Sequence, residues 1–276
     1  MTKEELFVSP LRKLNVGRSV WMRPLRNRCE IPLDLLADSH EMTTDELHSE
    51  VSIAAEAAPL RGALASPTGA AGIVLFAHGS GGSRLSPRNT YVAERLYRRG
   101  CATLLFDLLT AEEEECDTLT AKLRFDIPLL AKRLVAATHW TQAQPQLRDL
   151  RIGYFGASTG AAAALIAAAR VPGIAAVASR GGRPDLAGAA LIDVPVPTLL
   201  IVGGNDPEVL ALNRRAIALL RCEARLTIVP EATHLFEEPG ALELVASLAA
   251  TWFTRHFKSA SPAASAFPEA SRLQRD

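Results

Sequence analysis

The chain has 276 residues, 48% of them hydrophobic and 22% charged, with Lys+Arg 30 matched by Asp+Glu 30. That length and apolar content suit a single α/β unit with a sizeable core. A net charge of zero offers no basic footprint, so neither nucleic acid nor a membrane surface is an expected partner.

The four cysteines, Cys29, Cys101, Cys116 and Cys222, are scattered with no C-x-x-C spacing. This argues against a zinc site or a disulfide framework and reads as reduced thiols in a cytoplasmic protein. No metal is expected. Lys3, Glu4 and Glu5 open the chain, and Arg12, Lys13 and Arg18 break its apolar runs, so no secretory leader is expected. The small-apolar stretch from Gly160 to Ala169 is too short to span a bilayer.

Residues 1–46 mix basic and acidic side chains without a sustained period. They read as an appended, partly disordered arm with helical character around Leu33 to Leu36, or as an over-extended start ahead of Met42. Residues 258–276, rich in Ser, Ala and Pro, read as a disordered tail. The stretch between, 47–257, reads as the folded domain.

Val51 to Ala57 and Leu60 to Ala65 are predicted as opening strands joined near Pro59. Gly72 to Ala77 is a continuous apolar run, the mark of a strand buried on both faces. Ser86-Pro87 gives an N-cap and a first-turn proline for a helix ending before Gly100. Ala102 to Phe106 is a strand, and the acidic run Glu112 to Glu115 reads as a solvated loop rim. Asp126 to about Gln142 has Ile127, Leu130, Leu134, Ala137 and Trp140 on one helical face.

Strands follow at Arg151 to Phe155, Ile174 to Ala178, Thr198 to Val202 and Arg225 to Val229. Helices start at Ser158, at Pro207 (to Leu220) and at Leu242 (to Phe257). Repeated strand–helix units predict an α/β fold with a mainly parallel central sheet covered by helices on both faces. Sites in such sheets lie at the carboxyl ends of the strands.

Gly156-Ala157-Ser158-Thr159-Gly160 matches G-x-S-x-G. The pattern alone is weak, but an apolar strand precedes it and an Ala-rich helix follows. A nucleophile on a strand-to-helix turn needs that context, and the flanking glycines remove Cβ atoms that would clash there. The bland alternative is that Ser158 only caps a helix.

A serine hydroxyl needs a base. The order expected in this type of turn is Ser, then Asp or Glu, then His. Of six histidines, only His234 and His256 follow Ser158. His256 lies near the end of the last helix and is expected to be exposed. His234 lies just past the last strand, at the required edge. Asp206 follows a strand on the same edge, although Asp206-Pro207 is also a sound helix N-cap. Asp185 is the runner-up acid and Asp193 a poorer one.

Ala77-His78-Gly79-Ser80-Gly81-Gly82 leaves the first buried strand. The backbone N–H groups of Thr159 and of Ser80 or Gly81 are the expected oxyanion donors. His78 precedes Ser158, so a structural hydrogen bond is expected of it. A phosphate loop is disfavoured because no G-K-[ST] follows. Arg180-Gly181-Gly182-Arg183 also leaves a strand at this edge. Arg180 is the favoured holder of a substrate anion, with Arg183 the alternative. With no large insertion to form a lid, the pocket is expected to be rather open.

From about Val51 to Phe257 the chain resembles the dienelactone hydrolase family, within the α/β-hydrolases. The resemblance rests on His78-Gly79-Ser80-Gly81, the Ser158 turn, Gly203-Gly204-Asn205-Asp206 and Thr233-His234-Leu235-Phe236. It is closest to a serine-nucleophile branch, some members of which occur fused to phosphoribosyltransferases. The resemblance implies ester or lactone hydrolysis without a cofactor. Enzymes that name the family carry cysteine at the turn, so Ser158 leans toward a general carboxylesterase acting on a small-molecule ester, as a monomer or homodimer. The alternatives are a non-catalytic binding module of the same fold and an acyltransferase using the same three side chains.

Overall fold

The computed structural model describes residues 47–55 and 59–258. The expected arm, and the tail beyond Lys258, lie outside the described residues. Eight strands form one sheet: β1 (Leu47–Ile53), β2 (Leu60–Ser66), β3 (Gly72–Ala77), β4 (Ala102–Phe106), β5 (Arg151–Ala157), β6 (Ile174–Arg180), β7 (Thr198–Gly203) and β8 (Ala224–Val229). Their order is β1-β2-β4-β3-β5-β6-β7-β8. The β1–β2 and β2–β4 pairings are antiparallel and the other five are parallel. The mainly parallel α/β sheet expected from the sequence is what the chain forms.

The helices are α1 (Pro87–Arg98), α2 (Ala111–Thr120), α3 (Ile127–Ala143), α4 (Thr159–Arg170), α5 (Pro207–Ile217) and α6 (Ala241–Lys258). Alternation along β3 shows the two layers. Ile73, Leu75 and Ala77 enter the core shared with α3 and α4. Val74 and Phe76 enter the core shared with α1 and α6. A strand whose every side chain is buried has no polar position to spare, which explains the uninterrupted apolar run. Glycines set how closely the layers approach. A Cβ on Gly153 would stand 2.6 Å from Phe253 Cε1, so the absence of a side chain in mid-strand seats α6 directly on the sheet.

Some boundaries differ from the sequence reading. β1 begins and ends earlier than Val51 to Ala57: it spans Leu47–Ile53, and within it Ser49, Val51 and Ile53 are covered while Glu50 and Ser52 are exposed. Residues 56–58 lie outside the described residues. Ser86 precedes α1, but its hydroxyl makes no cap bond.

The acidic run is not a loop. Thr110 Oγ1 accepts from Glu113 N at 3.2 Å, and Glu113 Oε2 accepts from Thr110 N at 2.8 Å. This capping box nucleates α2, and Glu112, Glu113 and Glu114 in its first turn suit the positive end of the helix dipole. Thr110 and Glu113 carry the T-x-x-E spacing of such a box in the sequence itself.

The chain passes from β3 through α1 to β4 on one side, then returns through α3 to β5 on the other. The neighbours β3 and β5 are therefore followed by helices on opposite faces, α1 and α4. The crevice this opens at their carboxyl ends is a topological switch point. Among the described residues, no helix is long and apolar enough to cross a membrane.

Candidate active site

Ser158 sits at the mouth of that crevice, between β5 and α4, with φ 49° and ψ −118°. A non-glycine residue rarely adopts this conformation, and holding it costs on the order of 1–3 kcal/mol. The surroundings enforce it. Ser158 N donates to Arg180 O at 3.2 Å, while Arg183 N donates to Ser158 O at 3.0 Å. A Cβ on Gly156 would lie 2.5 Å from Ala161 Cα, and one on Gly160 would lie 2.1 Å from Ala77 O. The flanking glycines are thus required by backbone proximity, as expected for this turn. Ser158 holds the N-cap position of α4 but makes no side-chain cap bond, so the simple helix-cap alternative loses its hydrogen bond.

Asp206 and His234 come together from separate loops. His234 Nδ1 lies 2.7 Å from Asp206 Oδ2. A carboxylate can only accept, so Nδ1–H donates, and the neutral ring keeps Nε2 as an acceptor. Asp206 stands at the N-cap of α5, yet its side chain caps nothing and is committed to the histidine instead. Asn205 ties the two loops together: its N donates to Ala232 O at 2.9 Å and its Nδ2 to Glu231 O at 2.9 Å. Thr233 N donates to Glu238 Oε1 at 3.0 Å, fixing the histidine's own turn.

The sequence reading missed the glycines that let these loops meet. A Cβ on Gly203 would lie 2.2 Å from Ala232 O. Gly181 has φ 52°, and a Cβ there would lie 3.1 Å from His234 O and 3.5 Å from its Cε1. Gly181 directly follows Arg180, whose carbonyl holds Ser158, so His234 and the serine turn pack against the same short segment. The signal was there as Gly181-Gly182 and Gly203-Gly204 at strand ends.

The turn after β3 approaches the serine from the opposite side. A Cβ on Gly79 would stand 3.0 Å from Ser158 Cβ. Gly82 N donates to Gly79 O at 3.0 Å, and Gly81 has φ 70°. Ser80 and Gly81 thus lie in a tight turn beside Ser158, and Thr159 opens α4 on its other side.

His78 anchors that turn. Its Nδ1–H donates to Gly79 O at 3.0 Å and its Nε2 accepts from Leu108 N at 3.0 Å. Both roles need the neutral ring, and burial lowers its pKa below the usual 6.5. His78 is structural, as the sequence order implied.

Other candidates fall away. Asp185 is held by Arg183 through two bonds of 2.9 and 2.8 Å. Asp193 ends a 3-10 segment, Pro184–Asp193, kinked at Gly188. His256 is buried rather than exposed, because α6 turns it inward against Trp252 with ring centroids 4.5 Å apart. Arg180 is the last residue of β6 and is buried, whereas the sequence placed it in the loop beyond. Among the described residues, no cluster of His, Cys, Asp or Glu could hold a metal ion.

The model of the dienelactone hydrolase family matches residues 60–260. The chain belongs to that family. A family member of known structure, a dienelactone hydrolase from Anabaena variabilis, is 57% identical; the match covers 77% of this chain and 99% of that one, with a TM-score of 0.76. The fold is also shared with Est1E from Butyrivibrio proteoclasticus, at 16% identity and a TM-score of 0.64 over 76% of this chain and 99% of that one. A relative from Mycobacterium tuberculosis, named "Putative phosphoribosyl transferase MT0597", is 57% identical over 215 residues, covering 77% of this chain. The chain spans 47% of that relative's length, so the name describes a protein about twice as long. Within the family, the chain has the α/β-hydrolase fold, with serine at the turn.

Proposed function

We propose that this dienelactone hydrolase family member cleaves a carboxylic ester or lactone of a small molecule through an acyl-enzyme on Ser158. His234 Nε2 takes the Ser158 hydroxyl proton as Oγ attacks the carbonyl. Asp206 accepts from Nδ1–H and stabilises the imidazolium that forms. The backbone N–H groups of Thr159 and of Ser80 or Gly81 bind the developing oxyanion. His234 then passes its proton to the leaving oxygen. In the second half a water attacks the acyl group, with His234 again as base, and Ser158 is released protonated. Each step uses side chains and backbone of this chain and calls on no metal or cofactor.

The observation that carries this reading is the pairing of a strained, uncapped Ser158 with a carboxylate-oriented histidine anchored to the same segment. A non-catalytic binding module has no need to hold a serine at φ 49° or to withdraw Asp206 from its own helix cap. The phosphoribosyl transferase name belongs to a relative about twice as long.

The test is hydrolysis of p-nitrophenyl esters of increasing acyl length by the full chain and by Ser158→Ala. Turnover that vanishes in the variant supports the reading. Equal release by both proteins contradicts it.

A further inference from the structure

The proposed nucleophile and its acid–base pair are mounted on different elements, and one buried side chain joins the two mountings. Ser158 is gripped at both ends by the segment that follows β6: its N donates to Arg180 O, and its O accepts from Arg183 N. Asp206 stands at the N-cap of α5 and holds His234 from the loop after β8. Gly182 lies inside the gripping segment, and its carbonyl is held from α5. Asn213 Nδ2 donates to Gly182 O at 2.9 Å and to Val209 O at 2.8 Å. Two carbonyl oxygens that close settle which end of the amide is nitrogen, because the reverse orientation would set oxygen against oxygen.

Asn213 is an unusual residue for its place. The buried stripe of α5 is Val209, Leu210, Asn213 and Ala216, the spacing of a helix face turned to a core. Asparagine is a weak helix former, and this one is fully buried. Among the described residues its Oδ1 has no partner. An apolar side chain would complete the stripe and leave no buried acceptor unpaired. What it would not supply is the N–H that meets Gly182 O.

The segment it holds has little slack. Gly181 N donates to Ile201 O at 2.8 Å, and a Cβ on Gly181 would lie 3.1 Å from His234 O. A Cβ on Gly182 would lie 2.0 Å from Ser179 Oγ and 2.6 Å from Ala161 Cβ. Gly182 is thus pressed against β6 and α4, and Asn213 ties it to α5.

We infer that Asn213 is a positioning residue, acting through Gly182. It locks the segment that grips Ser158 to the helix that carries Asp206, and so sets the approach of the serine hydroxyl to His234 Nε2. The inference rests on the proposed serine hydrolysis and deepens it: the strained serine and the acid–base pair keep their mutual geometry through one shared amide. When that amide is removed the gripping segment relaxes, and a displacement of about 1 Å between reacting groups lowers the rate by about 100-fold.

The test separates rate from folding. The full chain, Asn213→Leu, Asn213→Ala and Ile217→Ala are treated with a fluorophosphonate probe well below each protein's melting temperature. Both the second-order rate constant and the final labelled fraction are read. Ile217, a turn further along α5, packs against the core shared with α3 and α4, so Ile217→Ala lowers stability and leaves the Asn213–Gly182 contact in place. Both Asn213 variants should label to completion but about 10- to 100-fold more slowly than wild type. Their kcat for p-nitrophenyl acetate, counted per labelled site, should fall in step with KM little changed. Ile217→Ala should melt earlier and label at the wild-type rate.

The acid limb of the pH–rate profile gives a second readout. It should keep the wild-type midpoint in the Asn213 variants, since the Asp206–His234 pair lies outside the broken contact. Labelling at the wild-type rate but to a lower fraction, a shifted acid midpoint, or failure of both Asn213 variants to fold would overturn the inference, because Asn213 would then serve the fold or the pair itself. A wild-type chain that takes no label would instead indict the hydrolase reading, so the two failures are distinguishable.

Discussion

Two histidines stand at the same sheet edge in opposite circumstances. His78 is buried, and both ring nitrogens are occupied by backbone groups, Gly79 O and Leu108 N. His234 is part-exposed, and one nitrogen is held by a carboxylate. The difference teaches what separates an anchor from a candidate base. An anchor has its protons committed and its charged form penalised. A base needs one nitrogen fixed and the other left available, with a partner that welcomes the positive charge.

The largest effect expected to sharpen that comparison is on turnover. His234→Ala should lower kcat by at least about 10⁴-fold in ester hydrolysis, because members of a serine–histidine pair act as a unit. His78→Ala should cost activity far less. Its main effect should be about 1–3 kcal/mol of stability by denaturant titration, since Leu108 N–H is left without an acceptor. Similar kinetic losses in the two variants would erase the distinction.

Asp206→Asn tests the carboxylate's part next. It should lower kcat by about 10⁴-fold by favouring the wrong tautomer, with little change in melting temperature because Asp206 does not cap α5. A large stability loss with modest kinetic change would reassign Asp206 to the helix.

Smaller again is the strain at Ser158. Ser158→Gly should abolish hydrolysis and raise stability by about 1–3 kcal/mol, because glycine tolerates φ 49°. Unchanged or lowered stability would mean that no strain is stored there.

The smallest effect is on pH dependence. The folded state holds His78 below its usual 6.5, through burial, and lowers His256 likewise. The unfolded chain therefore binds more protons as pH drops below 6.5, and stability falls with it. His78→Ala should show a shallower decline between pH 7 and 5 in denaturant midpoints, and an unchanged slope would show that His78 does not titrate in the unfolding reaction.

Much of this was legible in the sequence because it rests on local pattern. The apolar runs of β3 and β5, the G-x-S-x-G turn and the order Ser158, Asp206, His234 all follow from side-chain burial and chain direction. The parts that were not legible depend on tertiary approach. Gly181 and Gly203 matter because other loops pass within contact distance, which no local window reveals. His256 reads as exposed from its place near the helix end, yet it is buried on a face whose inward side is set by packing against Trp252, which the local sequence does not carry. In the sequence Arg180 is favoured over Arg183 only by standing nearer the strand end, whereas the structure separates them by one carboxylate, Asp185, which holds Arg183. The α2 capping box was readable, but four consecutive glutamates suggested a solvated rim instead.

The central claim is that Ser158 is the nucleophile, and covalent capture tests it most directly. The full chain and Ser158→Ala are incubated with a fluorophosphonate probe and examined by intact mass and peptide mapping. The account predicts one adduct per chain on Ser158, absent from Ser158→Ala and strongly slowed in His234→Ala. An unlabelled wild-type protein, or an adduct on another residue that persists in Ser158→Ala, would contradict it.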